Sequence, residues 1–344
     1  LETSSLIGSE SGILNKRLFR LLFGVSVSVI CLYFLVGAVE EDKVLASFEK
    51  VKISYLIWAL IVTSLSYILR AYRWQFLFTD VQISFAHSYR CLTLGFFMNN
   101  VLPARIGEFV RAHSLGRILG ESRAKVLASV ALERLLDGVT LSAIFGILFP
   151  LWSDNLENAS LLFKVSYMFG IACGGTFIVF FLRKPIFSLL DIIDRKIGMS
   201  GVSYLLKRIE KFILGLQPLS MPKLLAPIVA LSILIWGVEI GAYYLVSEAF
   251  SQSLNLGNLA LFLAAVNFSS LIPAAPGGLG TIETFASFAL AKVGIEHEVA
   301  LAMVLSQHLI QFIAVGLPGL FYTINKFDNG SVLDVEIADT HSPV

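Results

Sequence analysis

Charged residues are scarce in this chain. Only 15% of its 344 residues are Asp, Glu, Lys or Arg, 56% are hydrophobic, and the mean hydropathy is +0.78. A water-soluble domain of this length cannot cover its surface with so little charge, so the composition indicates a polytopic membrane protein. The net charge of +1 identifies no partner, and no nucleic-acid partner is expected. The three cysteines, Cys31, Cys91 and Cys173, each sit in an apolar stretch without metal-ligand spacing and read as small core hydrophobes. The chain has no Walker motif, no aspartate-rich metal pair, no HExxH and no nucleophile elbow, and no hydrophilic stretch long enough for a catalytic domain. The expectation is a non-enzyme with no cofactor and no metal, driven by an ion gradient or by the gradient of its own substrate.

What the chain has instead is apolar length. Windows near the ~20 residues needed to cross a bilayer occur at about 18–39, 54–78, 126–150, 161–182, 224–248 and 299–325. Lys16, Arg17 and Arg20 precede the first, but its run is longer than the h-region of a signal peptide and lacks a clear cleavage site, so a retained anchor is expected. Basic residues cluster before the first window, between the second and third (Arg105, Arg111, Arg117, Arg123, Lys125) and between the fourth and fifth (Arg183, Lys184, Arg195, Lys196, Lys207, Arg208, Lys211, Lys223). The positive-inside rule then places both termini in the cytoplasm of an inner or plasma membrane protein. The expected organisation is a cytoplasmic tail at 1–17, a transmembrane domain at 18–326 and an acidic cytoplasmic tail at 327–344. Within the domain, 183–223 reads as a basic amphipathic linker against anionic headgroups, and the DxxD of Asp191 and Asp194 as its solvated face.

Two apolar segments do not fit this count. GFFMNNVLPARIGEFVR (Gly95–Arg111) has cytoplasmic flanks, and AVNFSSLIPAAPGGLGTIET (Ala265–Thr284) has extracytoplasmic ones. An odd number of crossings in either would invert all that follows, so each is expected to dip into the membrane and return, over about 85–120 and 258–294. Each runs from an aromatic through paired small polar residues, a proline and a glycine turn to a carboxylate. Asn99 and Asn100 answer Ser269 and Ser270, Pro103 answers Pro273, and Glu108 answers Glu283. Interrupted helices at corresponding places in two halves point to an inverted-repeat transporter fold. The overall expectation is an all-α polytopic membrane protein with about six full transmembrane helices and two re-entrant segments. Pro103, Gly107, Pro273, Pro276, Gly277, Gly278 and Gly280 would form the breaks and gates. Glu283 would follow the second break either as a helix cap or as a titratable partner in a cavity.

Ionisable residues inside spans are costly, so each is a candidate site. Glu133 and Asp137 lie four apart on one helix face beside Arg134, within reach of Arg105 or Arg111 of the first broken segment. Both an ion-pair lock between helices and a substrate or coupling role fit that pattern. Arg70 and Arg73 fit interfacial snorkelling, while Arg70 also fits a lipid phosphate; Glu239 lies mid-span and reads as buried and paired or protonated. Gln307, His308 and Gln311 form a stripe that interhelical hydrogen bonding would satisfy.

NNVLPARIGEFVRA, ASVALERLLDGV and PAAPGGLGTIE occur in that order, and with them the chain resembles, over roughly 15–325, the flippase-like family related to the transmembrane part of lysylphosphatidylglycerol synthases. The resemblance implies a membrane protein with re-entrant helices that moves a lipid, or helps move it, between leaflets. It matches Asn100, Pro103, Gly107, Glu108, Arg111, Glu133, Arg134 and Asp137 to two family motifs and Pro276, Gly277, Gly280 and Glu283 to a third. Full-length synthases also carry a cytoplasmic aminoacyl-transferase domain; the acidic tail after Lys326 gives no sign of one, so that activity is not expected. The expected partners are membrane lipids, anionic ones first. Arg105, Arg111 and Arg134 would receive the headgroup, with Asn100 beside them, while Glu108, Glu133, Asp137 and Glu283 orient the arginines or exchange protons. A non-transporting scaffold for a glycosyltransferase or lipid-modifying enzyme is the alternative, and an intramembrane enzyme on a lipid-linked phosphate a weaker one.

Overall fold

The computed structural model describes residues 25–35, 37, 39–102, 106–152, 221–272 and 275–327, with isolated positions at 167, 171, 182 and 188. The N-terminal tail, nearly all of the fourth apolar window, most of the amphipathic linker, nearly all of the C-terminal tail, and Pro103, Arg105 and Pro273 lie outside these residues. Among the described residues every regular element is helical and none is a strand.

The chain forms α1 (Val25–Leu35), α2 (Glu41–Glu49), α3 (Ile53–Gln75), α4 (Phe85–Val101), α5 (Gly107–Leu119) and α6 (Arg123–Trp152). It continues with α7 (Pro222–Ala249), α8 (Leu256–Ser269), a 3₁₀ turn at Pro276–Gly278, α9 (Thr281–Ala291) and α10 (His297–Phe327). Among the described residues three segments are long and apolar enough to cross a membrane: Ile53–Gln75, Lys223–Ala249 and His297–Ile324, in α3, α7 and α10. At ~1.5 Å per residue α6 is also long enough, and the charges of Glu133, Arg134 and Asp137 set it apart from those three. Exposed apolar side chains such as Ile57, Trp58 and Ile61 on α3, and Ile233 and Leu234 on α7, give these helices oily outer faces.

Helix α8 is different. Its 14 residues span ~21 Å at 1.5 Å per residue, short of a bilayer's ~30 Å core, and Leu259 to Val266 are all buried. It packs against α6, α7 and α9. A helix that is apolar on every side belongs inside other helices. Asn255 starts it by accepting the Asn258 N–H at 2.8 Å.

Helices α4 and α5 form a tight hairpin. Ser84 caps α4 by accepting the His87 N–H at 3.3 Å, and Asn99 Oδ1 reaches across the break to accept the Gly107 N–H at 2.8 Å. The backbones touch where both helices carry glycine: a Cβ on Gly107 would overlap the Gly95 carbonyl oxygen, and one on Gly95 would lie 2.9 Å from the Gly107 oxygen. The hairpin packs on α6 through α5 and on α10 through α4, where Gly319 leaves room for Phe97. α5 ends at Gly120, whose φ of +67° is the left-handed turn that favours glycine. The second broken unit, α8 to α9, packs on α10 through α9, and its 3₁₀ turn packs on α4. Each unit is therefore a helix, a break and a helix with a carboxylate in the first turn after the break, Glu108 and Glu283.

Gly107→Ala should destabilise the protein by about 1–3 kcal/mol or more, because the overlapping atom is backbone that cannot rotate away. Gly146→Ala, where a Cβ meets nothing within 4 Å, should change stability by less than about 1 kcal/mol. Thermal unfolding of the two variants in detergent checks both values.

Candidate functional site

Asp137 is the meeting point of three helices. Its Oδ2 accepts from Arg70 Nη1 at 2.8 Å and its Oδ1 from Arg73 Nη2 at 2.8 Å. The two arginines lie three apart on α3, so one face of that helix delivers both to one carboxylate on α6. Arg73 Nη1 donates onward to Ser232 of α7 at 2.8 Å. Arg70 Nη2 lies 3.5 Å from Glu239 of α7, which also accepts from Ser66 at 2.6 Å. The Arg70 guanidinium stacks over Trp236, 4.9 Å from the ring centre. Arg70, Arg73, Asp137 and Glu239 are all buried.

One turn earlier on α6, Glu133 takes a different partner. Arg111 of α5 grips it with two bonds, Nη1 to Oε1 at 3.2 Å and Nη2 to Oε2. Both side chains are essentially inaccessible, and the Arg111 guanidinium lies over the Trp74 ring, 3.6 Å from its centre. Trp74 is itself oriented by donating to Ser129 at 3.1 Å. Glu133 and Asp137 thus avoid mutual repulsion by turning to α5 and α3 respectively.

Arg134 is the open member of the group. Its side chain is 34% exposed, its Nε lies 3.3 Å from Glu108 Oε1, and its guanidinium stacks over Phe96 at 4.8 Å. The Nε atoms of Arg73 and Arg111 are buried without a hydrogen-bond acceptor, and that of Arg134, although 3.3 Å from Glu108, makes no well-aligned bond to it. Four arginines (70, 73, 111, 134) face four carboxylates (108, 133, 137, 239).

Glu283 belongs to a separate cluster. Its Oε2 accepts the Gly280 N–H at 2.7 Å, closing the first turn of α9, and its Oε1 lies 2.5 Å from His308 Nδ1 on α10. His308 Nε2 lies 3.0 Å from the Gly277 carbonyl oxygen. Gly277, Gly278 and Gly280 have φ of +70°, +77° and +85°, a path in which other residues would be strained. Ser28 of α1 clamps the same loop, donating to Leu279 O at 2.7 Å and accepting from Ala275 N at 2.8 Å.

Of the residues expected at the site, Arg70, Glu108, Arg111, Glu133, Arg134, Asp137 and Glu239 come together. Glu283 lies with Gly277 and Gly280 in the second cluster, and Asn100 is half-buried at the end of α4 while its neighbour Asn99 bonds to α5. Arg70 and Arg73 turn inward to Asp137, which excludes snorkelling for both. Arg73, Trp74, Ser232 and His308 are the members that sequence reasoning missed. The helical spacing of Arg70 and Arg73 was the available signal for Arg73, whereas nothing local marked Ser232. No group of three or more His, Cys, Asp or Glu among the described residues could hold a metal ion.

A family model described as the lysylphosphatidylglycerol synthase TM region matches residues 21–319. The chain is also similar to UPF0104 membrane proteins of three archaea. That of Pyrococcus horikoshii is 23% identical over 322 residues, covering 86% of this chain and 93% of its own. That of Methanocaldococcus jannaschii is 24% identical over 234 residues, covering 67% and 95%, and that of Methanothermobacter thermautotrophicus 23% over 335 residues, covering 89% and 94%.

Asp137→Ala should destabilise the protein by about 3–5 kcal/mol, because it strands two buried guanidiniums. Glu108→Ala, which opens a partly exposed pair, should cost about 1 kcal/mol or less. Equal shifts in unfolding midpoint would contradict this ranking.

Proposed function

We propose a lipid-translocating function from the premise that this chain belongs to the lysylphosphatidylglycerol synthase transmembrane-region family. The substrate is an anionic phospholipid or lipid-linked headgroup, and it passes between leaflets at the charged cluster. The observation that carries this reading is the arrangement of Arg134: a part-exposed guanidinium whose Nε lies 3.3 Å from the part-exposed Glu108, at the edge of a network of buried ion pairs. Guanidinium binds phosphate oxygens in a planar fork. Glu108 is the group a headgroup would displace, and a loosely held surface carboxylate gives way more readily than Glu133 or Asp137. Arg111–Glu133 and the Arg70, Arg73 and Asp137 trio then position Arg134 and its helix rather than bind headgroup. Asn100, half-buried at the end of α4, lies just before the break between α4 and α5.

The two helix–break–helix units serve in this reading as re-entrant hairpins of an inverted repeat, entering from opposite faces, with both chain ends in the cytoplasm. The buried, short α8 and the contact of the second break with α4 support it. Access alternates as the hairpins shift against α6 and α10.

Purified protein in liposomes with headgroup-labelled lipids tests the proposal. Anionic lipid should cross faster than zwitterionic lipid. Arg134→Ala should slow it about ten- to a hundredfold, the effect of losing a charge-assisted hydrogen bond of ~1.5–3 kcal/mol, while the unfolding midpoint stays near that of the parent. Unchanged anionic transport in Arg134→Ala would contradict the assigned role.

A further inference from the structure

The Glu283–His308 contact constrains where protons can be. The Gly277 oxygen can only accept, so His308 Nε2, 3.0 Å away, carries a hydrogen. Glu283 Oε2 already accepts from Gly280. That leaves the gap between Glu283 Oε1 and His308 Nδ1, 2.5 Å wide, which accommodates one proton. With none, two lone pairs would face each other; with two, two hydrogens would collide. Both side chains are buried, at 3% and 5% exposure, so water cannot relieve either mismatch.

We infer that Glu283 and His308 form a proton-binding site, in which gain or loss of one proton releases the glycine loop from α10. Deprotonation sends one H⁺ to water and leaves the pair with charge −1; protonation takes one H⁺ and leaves it +1. In both cases the tie between α9 and α10 breaks, and the loop, held otherwise by Ser28, is free to move. The φ values of Gly277, Gly278 and Gly280 supply the backbone latitude for that movement.

Helix α8 carries no ionisable side chain, while α1 carries Cys31 and Tyr33, α2 Glu41, Asp42, Lys43 and Glu49, α3 Tyr55, Tyr67, Arg70, Tyr72 and Arg73, α4 His87, Tyr89, Arg90 and Cys91, and α7 Lys223, Glu239, Tyr243, Tyr244 and Glu248. Glu239 is engaged by Ser66 and Arg70, Arg90 lies over Tyr322, and Tyr243 accepts from Gln311 at 3.4 Å. His297 bonds Ser287, one turn along α9. Among the described residues His308 is the basic side chain within ion-pair distance of Glu283.

The proton site stands on this geometry alone; that the proton is the coupling ion of the transporter rests on the function proposed above. The test is made on the full chain in nanodiscs without transported lipid, by infrared difference spectroscopy across a titration from about pH 4 to about pH 9. The same samples give amide hydrogen exchange across 275–280, corrected for intrinsic rates. Wild type should show coupled carboxyl and imidazole bands and a change in loop protection of about tenfold. Glu283→Gln keeps every hydrogen bond: its amide accepts from Gly280 and donates to neutral His308, which still donates to Gly277. It should fold, lose the coupled bands and show less than about a twofold change in protection. His308→Gln should lose the same bands; if it does not fold, Glu283→Gln decides alone. Wild-type bands and pH-dependent protection in Glu283→Gln would overturn the site. Normal bands with no lipid translocation would instead sink the transport reading and leave the proton site standing.

Discussion

Asp137 constrains much of the rest. Between helices in lipid there is no hydrophobic force to choose a partner, because acyl chains are as apolar as leucine. Geometry must come from close packing and polar pairing. One carboxylate accepting from two arginines on the same face of α3 sets the rotation of α3 and its height against α6. Through Arg73 and Ser232, and through Arg70 and Glu239, the same pairing places α7. Glu133 one turn away then places α5 by gripping Arg111. Four helices are indexed to two carboxylates a single turn apart.

Burying so many charges opposes folding unless each is paired, and the pairing here is close to complete on the inner side and incomplete at the edge. Glu133 and Arg73 are inaccessible; Arg134 and Glu108 are not. The gradient from locked to open pairs separates the residues that hold the bundle from those free to exchange partners. Glycine performs the complementary task at the breaks. Gly95 and Gly107 bring α4 and α5 into backbone contact, and Gly277, Gly278 and Gly280 let the loop turn beneath His308.

Much of this architecture was legible in the chain. The helical class follows from charge scarcity and apolar length, and the helices that end at Val101 and Ser269 stop where proline and glycine punctuate otherwise continuous apolar runs of sequence. Glu108, Glu133, Arg134, Asp137 and Glu239 stood out because charge in an apolar window is expensive. Partner choice was not legible. The i, i+4 spacing of Glu133 and Asp137 predicts a shared face but not that each turns to a different helix. Arg70 and Arg73 lie at the end of an apolar run, where outward snorkelling and inward pairing look alike. His308 read as part of a polar stripe, because its partner Glu283 lies 25 residues away across a loop whose path depends on three positive-φ glycines.

The central claim, that the part-open arginine at the edge of the buried network receives an anionic headgroup, is tested most directly by ligand-dependent unfolding of the purified protein. A ligand that binds the folded state raises the unfolding midpoint in proportion to its occupancy. Short-chain anionic phospholipid should raise the midpoint progressively with concentration, the zwitterionic analogue should not, and added salt should weaken the effect. Equal shifts for both lipids, or none for either, would contradict the account.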